Sequence, residues 1–164
     1  VTPPPARPAL HWTFFGVWAA LGFAISAVVH ALSYFSMAAQ SSWPWVWVLH
    51  VGVFPPFIVM MTRLRRWRER TGPWSSRSRI GELSPYFPRW VLVLPIALVI
   101  YLAFNFANAT SHLPQHHEAP PTDAASAHEI EVYTIRAFSG FWLLFYAAPA
   151  LFFLFVPSSA APRD

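Results

Sequence analysis

The chain has 164 residues, of which 55% are hydrophobic and only 11% charged, with a net charge of +4. Soluble domains carry about 25% charged residues, and one core of this size cannot cover so much apolar surface, so lipid must solvate part of it. There is no cysteine, which excludes disulfides, iron–sulfur clusters and thiolate metal sites.

In chain order, the pattern predicts an all-α polytopic membrane protein, a bundle of four transmembrane helices. Residues 1–11 form a tail. The apolar run that follows is longer than a signal-peptide core and lacks a clean small-residue cleavage site, so it reads as a retained helix. This first span covers about 12–35. Within it Ala19, Gly22, Ser26, His30 and Ser33 recur at three- and four-residue steps. Small and polar residues on one stripe let helices approach closely, so the stripe, with His30, is expected to face the bundle.

The second span covers about 43–62. Pro44, after Ser41 and Ser42, suits a helix start. Pro55 and Pro56 remove two backbone donors inside the span and predict a kink, with the Val51 and Gly52 carbonyls needing other partners. His30 and His50 stand at similar sequence distance from the short loop around Ala39 and Gln40. In an antiparallel helix pair that places both roughly 5–10 Å below the same surface, at about 1.5 Å rise per residue.

The loop at 63–89 carries Arg63, Arg65, Arg66, Arg68, Arg70, Arg77, Arg79 and Arg89. All eleven basic residues are arginine, and all except Arg136 fall on this loop or on the two tails. The positive-inside rule therefore places both termini and this loop in the cytoplasm of a bacterial inner membrane. Arg63, Arg65, Arg66 and Arg68 are candidates for contacts with lipid head groups. The same flanking position makes membrane orientation, and not nucleic acid, the reason for the high isoelectric point.

The third span covers about 90–108 and the fourth about 133–156, with a tail at 157–164. The outward loop between them, 109–132, holds His112, His116, His117 and His128 with Glu118, Asp123, Glu129 and Glu131. Its imidazoles and carboxylates suit Zn or Cu(II), yet the spacing matches no metalloprotein pattern, so His116, His117 and His128 are only weak metal candidates. Asn105, Asn108, His112 and Arg136 form a polar cluster at the same outer level, suited to an anionic head group. Arg136 is expected to snorkel or to pair with Glu129 or Glu131.

His30 and His50 are the candidate ligands for haem or a divalent metal, because ionisable residues within a membrane mark functional sites. The bland alternative is that each hydrogen-bonds a neighbour across the bundle. No nucleotide loop, nucleophile elbow or paired intramembrane carboxylate is present. The expected function is therefore non-catalytic: an accessory or structural subunit of a larger membrane complex, with lipids and other subunits as partners. The alternatives are a haem- or metal-binding redox protein using His30 and His50, and a small transporter or channel component, for which the broken second span is the support.

The stretches FFGVWAALGFAISAVVHALSYF, WPWVWVLHVGVFPPFIV and IRAFSGFWLLFYA resemble those of small bacterial four-helix integral membrane proteins without an assigned activity. The resemblance rests on His30, Leu49, His50, Arg136, Phe138, Ser139, Gly140 and Trp142. It implies a stable four-helix module and no particular reaction.

Overall fold

A computed structural model describes residues 13–35, 44–71, 87–112 and 123–156. Every regular element among them is a helix. These are α1 (Phe14–Ser33), a 3-10 turn at Pro44–Val46, α2 (Trp47–Gly52), α3 (Phe54–Thr71), α4 (Arg89–Ser111) and α5 (Ala124–Phe155). Four stretches are long and apolar enough to cross a membrane: Phe14–Ser33, Pro44–Arg66, Val93–Ser111 and Ala124–Phe155. Their mean hydropathy runs from 1.6 to 1.9.

Local chemistry sets the helix ends. Thr13 caps α1, its Oγ1 accepting from the Gly16 N–H at 3.1 Å. Asp123 caps α5 in the same way, accepting from the Ser126 N–H at 2.8 Å. That bond holds the Asp123 carboxyl below the usual carboxylate range. The cap also moves a boundary. Residues 124–132, expected in a loop, are the first turns of α5, so His128, Glu129 and Glu131 are helical. Likewise α3 runs on to Thr71, past the expected end of its span at 62, with Arg65 and Glu69 paired one turn apart at 2.8 Å.

The second span is broken where the prolines predicted. Val53 separates α2 from α3, two residues before Pro55. Among the described residues, the carbonyl of this stretch that accepts a side chain from another helix is that of Leu49, bonded by the Tyr146 hydroxyl at 3.0 Å. A buried polar backbone group is thereby satisfied from another helix, as a low-dielectric interior requires.

α5 is the central mast. It packs chiefly against α1, then α4, and less closely against α3. Of its most apolar window 56% is buried, against 17% for the third span, so α4 is covered mainly on the side that meets α5. The stripe on α1 is buried at Gly16, Ala19, Gly22, Ser26, Val29, His30 and Ser33. It meets a core of Val46, Leu49, Val53, Ile135, Trp142, Tyr146 and Ala150. A second cluster joins Met60 to Phe152, Phe153 and Val156. The uncovered faces of α4 leave Val93, Ile96, Val99, Ile100 and Phe104 exposed.

Candidate functional site: a polar junction of three helices

The C-terminal end of α1 brings polar side chains from α1, α4 and α5 together. His30 is buried, and both of its ring nitrogens are bonded: Nδ1 to Ser139 Oγ at 2.7 Å and Nε2 to Tyr101 Oη at 2.5 Å. Ser139 Oγ donates to the Arg136 carbonyl at 3.2 Å, so it accepts from His30 Nδ1–H. His30 Nε2 then accepts from the Tyr101 hydroxyl. On this assignment His30 is the Nδ1–H tautomer.

The neighbouring hydroxyl continues the pattern. Tyr34 donates to Asn105 Oδ1 at 2.8 Å, and Asn105 Nδ2 donates to the Arg136 carbonyl at 3.1 Å. That carbonyl thus takes two side-chain donors as well as serving its own helix, which its two lone pairs and their breadth allow. Gly140 leaves the room: a Cβ there would stand 2.9 Å from Asn105 Nδ2. The two tyrosine oxygens are 3.0 Å apart. With one proton committed to Asn105 and the other to His30, that contact is secondary.

Arg136 closes the junction. Its Nη2 donates to the Ser33 carbonyl at 2.6 Å. Ser33 is the last residue of α1, where carbonyls lack intrahelical partners and the helix dipole is negative. A cation from α5 therefore caps α1. The guanidinium carbon also lies 4.4 Å from the centre of the Tyr34 ring and 4.7 Å from that of Tyr133, within cation–π range. Arg136 is buried, and its Nε–H has no hydrogen-bond partner among the described residues. An unsatisfied buried donor costs about 1–3 kcal/mol.

His50 is held elsewhere. Trp142 Nε1–H donates to His50 Nδ1 at 3.2 Å. Indole nitrogen only donates, so Nδ1 is the acceptor and neutral His50 carries its proton on Nε2. The exposed imidazole also makes edge contacts with the rings of Trp47, Phe54 and Phe138. The two histidines proposed as joint ligands therefore have separate partners and opposite tautomers.

The other sequence candidates divide. Asn105 and Arg136 share the junction. His112 is one ring away, stacked on Tyr133 with centroids 4.3 Å apart, and its Nδ1–H donates to the Asn108 carbonyl at 2.8 Å. Asn108 itself is exposed. His128 is an exposed residue of α5, while His116 and His117 lie outside the described residues. Among the described residues, no three His, Asp or Glu side chains form a group that could hold a metal ion. On α3, Arg63 lies over the Phe153 ring, Arg65 pairs with Glu69 and Arg66 is exposed; the side chain of Arg68 lies outside the described residues.

Sequence reasoning missed Tyr34 and the Ser33 carbonyl. The signal for the first was present: Tyr34 is four residues after His30 and so lies on the same side of α1. No family model, curated protein or solved structure matches this chain.

Proposed function

We propose that the chain is a non-catalytic integral membrane protein, an accessory or structural subunit of a larger bacterial membrane complex. The observation that carries this reading is how the polar groups of the junction, of which His30, Asn105 and Ser139 are buried, use their hydrogen bonds. His30, Tyr101, Ser139, Tyr34 and Asn105 bond one another or a backbone carbonyl across three helices. Such bonds stabilise helix pairs within membranes by about 0.6 kcal/mol each on average. Groups engaged in this way join helices.

The arginine distribution supports an orientation with both termini and the segment at 63–89 in the cytoplasm of the inner membrane. The junction then lies towards the outer face, and the arginines of α3 lie near inner-leaflet head groups. The uncovered apolar face of α4 offers contact to lipids or to another subunit's helix.

The alternatives demand more of this geometry. Haem or a divalent metal at His30 has to displace Ser139 or Tyr101. At His50 a metal on Nε2 requires the tautomer that sets Nδ1–H against the Trp142 N–H. A transport pathway along the broken second span draws on free carbonyls, and the Leu49 carbonyl is already taken by Tyr146.

Purification from native membranes in a mild detergent tests the proposal. Other membrane proteins should co-elute in fixed ratio with the tagged chain. Elution as a lone chain, with the same fold, would contradict it.

A further inference from the structure

We propose that Arg136 binds a phosphate oxyanion, supplied by a lipid head group or by free phosphate. Four observations converge on this residue. It is only 8% exposed, so its charge is largely removed from water. Its guanidinium bonds one backbone carbonyl and lies over two aromatic faces. The carbonyl belongs to a helix end equivalent to about half a negative charge, which offsets the cation only in part. Nε–H has no acceptor among the described residues.

The nearest acidic position on its own helix does not fit. Glu131 is five residues earlier, and at 3.6 residues per turn it lies on another face of α5. A guanidinium offers five N–H donors in a planar fork, and phosphate oxygens match that fork in pairs.

Depth selects phosphate among oxyanions. α1 has 20 residues and so spans about 30 Å, the thickness of the hydrocarbon core. Its last residue, Ser33, is the one that Arg136 bonds. The guanidinium therefore sits level with the end of a membrane-length helix, where lipid phosphates begin. Tyr34 and Tyr133 flank it, as interfacial tyrosines do. The inference does not depend on the chain's joining a complex.

Native mass spectrometry of the full chain in detergent tests it, with short-chain phosphatidylglycerol, diacylglycerol and inorganic phosphate as probes. One phosphatidylglycerol per chain should bind in preference to diacylglycerol. Arg136→Gln should weaken that binding at least tenfold and Arg136→Lys less. Competition by inorganic phosphate assigns the site to the free ion as well; absence of competition assigns it to the lipid. Equal binding of the two glycerolipids by the wild-type chain overturns the proposal, whether or not the glutamine variant folds. So does undiminished binding by a folded Arg136→Gln protein.

Discussion

Replacing Gly22 by alanine should destabilise the bundle by about 3 kcal/mol, the upper end for overpacking a filled core. A Cβ at this position would stand 2.6 Å from Tyr146 Cζ, and closer still to Cε1. The ring cannot easily move aside. Tyr146 is fully buried, its hydroxyl is bonded to the Leu49 carbonyl, and on another side Gly52 approaches so closely that a Cβ there would meet the hydroxyl at 2.7 Å. Two glycines on two helices thus make room for one tyrosine. Unfolding in mixed micelles followed by circular dichroism gives the magnitude. The pairing gives a sharper check: Tyr146→Val in the same chain should recover much of the loss, because residues in contact are not additive. Additive losses would show that the close approach is absent.

Trp142→Ala should cost about 3–5 kcal/mol, the range for emptying a buried aromatic site. Trp142 is 1% exposed and packs edge-on against Trp47, with centroids 5.9 Å apart. Its N–H also fixes His50. Trp142→Phe should keep most of the packing and lose the bond, at a cost of about 1 kcal/mol. The same unfolding measurement separates the two contributions. A small loss for the alanine variant would mean that lipid or a neighbour fills the site.

Four helices long and apolar enough to cross a membrane were legible because hydropathy and length report directly on the cost of exposing backbone and charge to lipid. The inward stripe on α1 was legible because only small residues permit close helix approach, and Gly22 against Tyr146 is that approach. Boundaries were less so. Hydropathy ends a span at the first charges, whereas α3 continues through them to Thr71, with Arg65 and Glu69 on adjacent turns. Asp123 starts α5 well before its apolar stretch, through a cap that hydropathy does not register.

The candidate site was half legible. Spacing from a loop gives the level of a side chain but not its direction around the helix. That is why His30 and His50, expected at one depth, meet different partners. Arg136 was expected to snorkel to the interface or to pair with a carboxylate; the acceptor bonded to it is the backbone of Ser33. Helix ends offer partial charge that a residue list does not show.

The central claim is that these polar groups are engaged in joining helices. Nitrogen-15 spectra of the chain in bilayers, with histidine ring nitrogens labelled and His30 and His50 assigned by substitution, test it most directly. In their neutral forms the two rings should be opposite tautomers: His30 protonated on Nδ1 and His50 on Nε2, with the His50 preference lost in Trp142→Phe. A metal-shifted ring nitrogen at either residue, or the same tautomer at both, would contradict the account.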